Sequence, residues 1–167
     1  MSTYISAVNQ KLLFARQLLR LVGTDGAATS THQAAAIAQS VVVQLHQAWV
    51  WHCCNIAESY KLKEPQLVTD GNALVALLAE QGKCPGEATE LQTLENDPRS
   101  WLSELLNAHQ HIYRLPVVRK AEMDIDRLPI IALDAPANID WSLQRAELWL
   151  QNLQELVERQ REMMLEF

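Results

Sequence analysis

Apolar side chains near the N-terminus recur at alternating intervals of three and four residues, which is the spacing of one face of an α-helix. The pattern predicts a first helix from about Thr3 to Val22, which Gly23 ends before a turn at Asp25-Gly26. A seam of this kind packs against a neighbouring helix at a shallow angle. Its members are Ile5, Val8, Leu12, Ala15, Leu19 and Val22.

The following segment contains no Asp, Glu, Lys or Arg over 32 residues, from Gly26 to Ala57. At average charged content, a stretch of that length holds about eight such residues. Ser30, followed three residues later by a glutamine, has the form of a capping box, so a second helix starts at Thr31 or, alternatively, near Ala27. We expect this helix to end around residues 61–63, before a proline.

Apolar or small side chains lie on nearly every side of the second helix, which is typical of a central helix or of one shared with another subunit. If one end is exposed to solvent, we expect it to be Thr29–Gln33 and not Trp49–Cys54. An uncharged helix of this length could also span a membrane, but amide and imidazole side chains are costly in hydrocarbon. We therefore predict no membrane span, because the helix carries Gln39, Ser40, Gln44, His46, Gln47, His52 and Asn55.

Shorter helices are predicted in the middle of the chain. One is expected from Asp70 or Gly71 to Gln81, and residues 87–96 are expected to form one or two helical turns. Asp97-Pro98 has the form of a helix start, with Asp as N-cap and Pro at the first helical position. The helix that it opens should end before Pro116.

The final helix is predicted over Trp141–Glu166, with Asp140 as its N-cap. Glu155 and Arg159 are spaced to form an ion pair on its solvent-facing side. Residues 116–139 contain three prolines and two apolar runs, so we expect them to cross one end or side of the molecule in extended form.

These elements predict an all-α, up-down helical bundle of four main helices plus one or two short helices, in a single domain over residues 1–167. The hydrophobic content of 49% and charged content of 20% are those of a globular protein. A net charge of −6 argues against a nucleic-acid partner, which requires Lys and Arg for phosphates. The N-terminus lacks the basic-then-apolar order of a signal peptide, and Cys53, Cys54 and Cys84 have no disulfide-framework spacing. We predict free thiols and a cytoplasmic location.

The second helix carries the residues whose chemistry could form a site: His46, Trp49, His52 and Cys53. His46 and Cys53 share a helix face, but His46 and His52 point about 120° apart, whereas a chelating histidine pair needs a spacing of four. His109 and His111 point to opposite sides of their helix, so at most one of them can join. We therefore favour packed imidazoles and thiols, and predict no metal, no cofactor and no catalytic residue. The four residues remain candidates for binding a ligand.

The segment from Asn9 to Arg16 reads Asn-Gln-Lys-Leu-Leu-Phe-Ala-Arg. It resembles the opening of a group of small, uncharacterised bacterial helical-bundle proteins, in which a long second helix with histidines and aromatic residues follows. The resemblance covers about the first third of the chain and implies no activity. Asn9, Lys11 and Arg16 flank the seam of the first helix, and we expect them to cap or bridge neighbouring helices instead of binding a ligand.

Three hypotheses follow from the surplus of apolar surface and the lack of a catalytic motif. The preferred one is a non-enzymatic interaction protein that forms a homodimer through the second or the last helix, with Trp51 as a possible subunit contact. The alternative is a small-molecule- or metal-binding bundle, or an enzyme, that uses the region of His46, His52 and Cys53. The third is a peripheral membrane protein.

Overall fold

The computed structural model of the protein describes residues 2–22, 30–115 and 139–165. These residues form six α-helices and no β-strand, which confirms the predicted all-α bundle. A short 3-10 turn, Pro65–Leu67, follows the second helix. The predicted extended crossover lies outside the described residues, apart from its last position. In chain order the helices are α1 (Thr3–Arg20), α2 (Thr31–Ser59), α3 (Gly71–Glu80), α4 (Gly86–Asn96), α5 (Trp101–Ile112) and α6 (Leu143–Leu165).

Hydrogen bonds at its two ends define the extent of α2. The Ser30 hydroxyl accepts from the Gln33 amide at 3.2 Å, which confirms the predicted start at Thr31. At the other end Lys61 adopts a left-handed conformation, with φ of 59°. The amide of Leu62 then donates to the Ala57 carbonyl at 2.9 Å, the bond that closes a Schellman motif. The helix ends at Ser59, two to four residues before the predicted end, because the chain reverses at Lys61 and does not continue to the proline.

The central position of α2 is confirmed, because it contacts each of the other five helices. Its Trp49 and the Trp149 of α6 are among the largest buried side chains of the core. Exposure follows the prediction: the described residues Thr31 to Gln33 are exposed, whereas every residue of Trp49–Cys54 is buried or half-buried. Among the described helices, none is long and apolar enough to cross a membrane.

The direction of α1 relative to its neighbours is fixed by side-chain contacts. Ser2 at the start of α1 contacts Glu58 at the end of α2, so these two helices are antiparallel. Against α6, the Arg161 guanidinium donates to the Asn9 amide oxygen at 2.7 Å, and Arg16 donates to Gln154. From the first contact to the second, the residue number rises along α1 and falls along α6, so these two helices are also antiparallel. It follows that α2 and α6 run in the same direction.

The predicted start of α5 is wrong. Asp97 is the residue at which α4 ends, and its carboxylate accepts from the Arg99 amide at 2.9 Å within a turn. The N-cap is Ser100, whose hydroxyl accepts from the Ser103 amide at 2.9 Å, so the helix begins at Trp101. The Asp-Pro signal marks the turn between two helices here, and the serine two positions after the proline is the cap. The preceding helix α4 is also longer than the one or two turns expected.

The start of α6 and its expected ion pair also need correction. The helix begins at Leu143, and the Ser142 hydroxyl, not Asp140, accepts from the amide three residues ahead. Asp140 instead accepts from the Ser142 amide at 3.0 Å. Arg159 pairs with Glu90 of α4 at 2.6 Å in place of the neighbour expected on its own helix. The residue spacing within α6 could not reveal this partner, because Glu90 belongs to another helix.

Candidate functional site

Two histidines from different helices stack face to face where α2 packs against α5. The ring centroids of His46 and His109 lie 3.6 Å apart, and the ring planes differ by 2°. Trp49 tilts against His46 at 5.9 Å, and the exposed Tyr113 meets His109 edge-on at 5.3 Å. We call these four rings the His46 stack. They confirm that one of the two α5 histidines reaches the α2 candidates.

Both histidines of the His46 stack are held neutral. Burial, with the neighbouring His109 as a second cause, lowers the pKa of His46 to about 4. Burial also lowers the pKa of His109. The two uncharged rings can therefore touch at neutral pH without the repulsion that two imidazolium ions would experience.

The geometry of the His46 stack does not suit a chelating pair. The lone pair of an imidazole nitrogen lies in the plane of its ring, and the planes of His46 and His109 are parallel. A metal ion about 2 Å from each nitrogen would have to lie in both planes at once, which parallel planes do not allow. Within the described residues, no three His, Cys, Asp or Glu side chains are grouped for metal binding.

His52 points to a different part of the core and belongs to a buried hydrogen-bond network. Its Nε2 lies 2.8 Å from the side-chain oxygen of Gln160 on α6. The Gln160 amide nitrogen donates to the Glu87 carbonyl at 3.3 Å and to the Glu90 carboxylate at 2.8 Å. Because this nitrogen already donates twice, the oxygen of Gln160 is the acceptor, and His52 carries its proton on Nε2.

The remaining nitrogen of His52 is unpaired among the described residues. Its Nδ1 is buried and makes no hydrogen bond with the described residues. Burial lowers the pKa of His52 to about 4, although the Gln160 hydrogen bond and Glu90 oppose this shift. From Glu90 the network reaches the surface through Arg159, at 2.6 Å. The arrangement links a neutral histidine in the core to an ion pair at the edge of α4 and α6.

The thiols of α2 are packed as core residues. Burial raises the pKa of Cys53 well above its ordinary value and also raises the pKa of Cys54. The Cys54 Sγ donates to the Val68 carbonyl at 3.4 Å. Neither thiol is ionised at neutral pH, so neither has the low pKa that a nucleophilic cysteine needs. Cys84 is exposed, and all three cysteines are free.

The candidates on α2 therefore do not converge on one site. His46 and Trp49 face α5, whereas His52 faces α6 and Cys53 is enclosed in the core. The His111 ring bonds the carbonyl of Asn107 on its own helix at 2.9 Å and stays apart from the stack. Sequence reasoning missed Gln160 as the partner of His52. The signal available was a glutamine on the apolar face of the last helix, where a buried amide must bond something.

The three polar residues that flank the seam of α1 have separate roles. Asn9 and Arg16 bridge to α6, as expected, through Arg161 and Gln154. The Lys11 ammonium lies 5.8 Å from the Phe14 ring centroid and 5.4 Å from that of Trp51, within the range of a cation–π contact. Lys11 therefore packs against the aromatic edge of the α1–α2 pair.

Comparison with known proteins places the chain in a family without assigning an activity. The whole chain, residues 1–167, matches the family of unknown function DUF6586. No curated protein and no solved structure matches it. The match covers every residue of the chain, so it extends well beyond the first third in which the resemblance to uncharacterised helical proteins was seen. The chain belongs to the DUF6586 family of unknown function.

Proposed function

We propose that the protein is a non-enzymatic interaction protein that self-associates through the outer face of α2. This face, which we call the α2 outer face, consists of Ala36, Ser40, Val43, Gln47, Val50 and Trp51, all exposed or half-buried. They lie on one side of the helix, since their spacing follows the helical period. Beyond Trp51 the same side is covered, because Cys54 is buried and bonds the chain at Val68.

The observation that carries the proposal is the lack of charge on a helix face that water can reach. Glu, Asp and Lys are depleted in the cores of protein interfaces, whereas aromatic residues are enriched there. The α2 outer face has no charged residue, its Val43 is 37% exposed, and Trp51 is half-buried at one end. On α1 the adjacent Phe14 is exposed as well and extends the apolar surface. A solvent-facing helix of a monomer normally carries charged side chains on that side.

A second copy of the chain fits this face because the face complements itself. A two-fold axis beside Val43 would place two copies of α2 antiparallel, with Ala36 opposite the partner's Trp51 and Ser40 opposite the partner's Gln47. A small residue would then receive a large one at each end, and two amide–hydroxyl pairs would flank the centre. The two Lys11 residues would lie near the two Trp51 rings, about 22 Å apart, where salt screens their repulsion.

The non-enzymatic part of the proposal is supported by the state of the reactive groups on α2. The histidines of the His46 stack contact each other, and His52 bonds an amide in the core. The Cys53 thiol is enclosed and protonated. Free thiols also fit a reducing compartment, and we place the protein in the cytoplasm on that basis.

Sedimentation velocity over micromolar concentrations tests the proposal. We expect the wild-type protein to sediment as a dimer of its 18.9 kDa chain, and Val43→Glu to sediment as a monomer. A glutamate at the two-fold axis would face its own copy, and like charges at an interface cost several kcal/mol. Leu148→Glu is the matched control, because Leu148 is 42% exposed on α6 and lies outside the α2 outer face. A wild-type protein that stays monomeric throughout would contradict the proposal, as would equal effects of the two substitutions.

A further inference from the structure

A groove of about 510 Å³ runs between the second half of α1 and the first half of α6. Arg16 and Arg20 line it from α1, and the amides of Gln144, Gln151 and Gln154 line it from α6. The floor is apolar and includes Leu19 and Leu150, of which Leu150 is buried. We call this cavity the α1–α6 groove. Its volume lies in the range of small-molecule sites, and its lining combines three leucines with six polar or charged side chains.

The two arginines of the groove make no ion pair with a carboxylate of the described residues, although Glu147 lines the same groove. Arg16 donates to the neutral Gln154 amide oxygen at 2.5 Å, and neither Arg16 nor Arg20 makes an ion pair with a described residue. On α6, by contrast, Arg145 pairs with Glu104 and Arg159 with Glu90. Arg16 and Arg20 are one helical turn apart, about 6 Å along α1, so their like charges lie on one side of the helix. Two adjacent guanidinium groups that form no ion pair with the described residues can bind a carboxylate.

A second cavity lies next to the groove along the interface of α1 and α6, and it also contains arginine side chains. A smaller cavity of about 230 Å³ shares Arg16 and Gln154 with the groove and is also lined by Arg161. Arg161 is half-buried. Among the described residues it bonds the Asn9 amide oxygen and the Ile5 carbonyl, and its buried Nε has no acceptor there. Burial lowers its pKa. A third guanidinium therefore lies along this interface, where it bonds neutral acceptors while the Glu158 carboxylate lines the same cavity and opposes the lowering of its pKa.

We infer that the α1–α6 groove binds a small amphipathic monocarboxylate, with the carboxylate on Arg16 and Arg20 and the apolar body on Leu19 and Leu150. A planar carboxylate matches the fork of a guanidinium and can accept two hydrogen bonds from it. Glu147 also lines the groove, and its negative charge disfavours a dianion such as phosphate more than a single carboxylate. The leucines favour a ligand with an apolar body over a bare inorganic anion. This site is separate from the α2 outer face and does not depend on the proposed self-association.

Three probes distinguish the classes of ligand in the test. The full chain is titrated with 4-phenylbutyrate, with its neutral amide 4-phenylbutyramide and with inorganic phosphate, and binding is followed by backbone amide NMR. We expect 4-phenylbutyrate to bind with a millimolar or lower dissociation constant and to shift the amides of Arg16, Leu19 and Gln151. The neutral amide should bind at least tenfold more weakly, because it cannot form the charge-assisted bonds. Inorganic phosphate should also bind more weakly than 4-phenylbutyrate.

Substitutions then assign the binding to the groove. Arg20→Gln should weaken 4-phenylbutyrate binding at least tenfold without loss of folding, because Arg20 is exposed and bonds no described residue. Arg99→Gln is the matched control, an exposed arginine at the start of the α5 region that lies outside the groove. The inference is overturned if 4-phenylbutyrate does not bind, if it binds no better than its amide or phosphate, or if the two substitutions have equal effects.

Discussion

His52 makes a specific prediction about the dependence of stability on pH. The folded protein holds this ring neutral in the core, with Nε2 bonded to Gln160 and Nδ1 unpaired among the residues that the structure describes. Protonation would place a charge in the core and create a second N–H donor with no acceptor. The unfolded chain has no such restriction, so its histidine titrates at the ordinary value. The change that tests this is His52→Gln, which removes the titration and keeps a polar side chain at the position.

The size of the effect follows from the two pKa values. Burial lowers the pKa of His52 from 6.5 to about 4, so the unfolded state binds more protons between these values and stability falls as pH falls through that window. At pH 7.5 the histidine contributes almost nothing to the pH dependence, because it is neutral in both states. At pH 5.0 the linkage relation gives a loss of about 2 kcal/mol from this one residue. Below pH 4 the loss levels off, because both states are then protonated.

Urea denaturation at pH 7.5 and pH 5.0 measures this loss. We expect the free energy of unfolding of the wild-type protein to fall by about 2 kcal/mol more than that of His52→Gln between the two pH values. Comparing the two differences cancels the contribution of the other titrating groups. Equal losses in the wild-type protein and His52→Gln would refute the buried, neutral state of His52.

Three further results follow from individual positions. A thiol reagent should modify the exposed Cys84 in the folded protein and reach the buried Cys53 only after denaturation, as mass spectrometry of the labelled peptides would show; rapid labelling of both contradicts the packing. Asp70→Ala should lower the free energy of unfolding by about 1 kcal/mol because Asp70 caps α3, whereas Asp97→Ala should lower it less because Asp97 caps no helix start. A larger loss for Asp97→Ala in urea denaturation would instead support Asp97 as the N-cap of α5. Gly71→Ala should lower the melting temperature, because a Cβ there would lie 2.8 Å from a carboxylate oxygen of α4 and 3.2 Å from its backbone; an unchanged melting temperature contradicts that close approach.

Several features that depend on a single helix were predicted from the sequence, although the N-caps of α5 and α6 were not. The start of α2 follows from Ser30 alone, because an N-cap needs only its own helix. The separation of His46 from His52 follows from the helical period, which the structure confirms by directing the two rings to different helices. The central position of α2 follows from the lack of charge on all its sides, since a helix without a polar face must be covered.

Features that depend on a neighbouring helix were not predictable. The pairing of Gln160 with His52 joins positions 108 residues apart, and no local pattern fixes which residues meet at that distance. Arg159 has a local partner in sequence, Glu155, but pairs with Glu90 of α4 at 2.6 Å, and the spacing within α6 cannot predict a contact with another helix. The α1–α6 groove likewise exists only once two helices are placed side by side. The residues that carry its charge were visible in the sequence, but their common surface was not.

Disulfide trapping tests the central claim, that the α2 outer face joins two copies of the chain, most directly. The variant Val43→Cys is made in a Cys84→Ser background, so that the buried Cys53 and Cys54 are the only other thiols. Packed helices beside a two-fold axis bring equivalent Cα atoms within the roughly 7 Å that a disulfide can bridge.

We expect mild oxidation of this variant to give a covalent dimer in high yield, while Leu148→Cys in the same background remains monomeric. A Val43→Cys variant that stays monomeric under these conditions, or that cross-links no faster than Leu148→Cys, would contradict the claim.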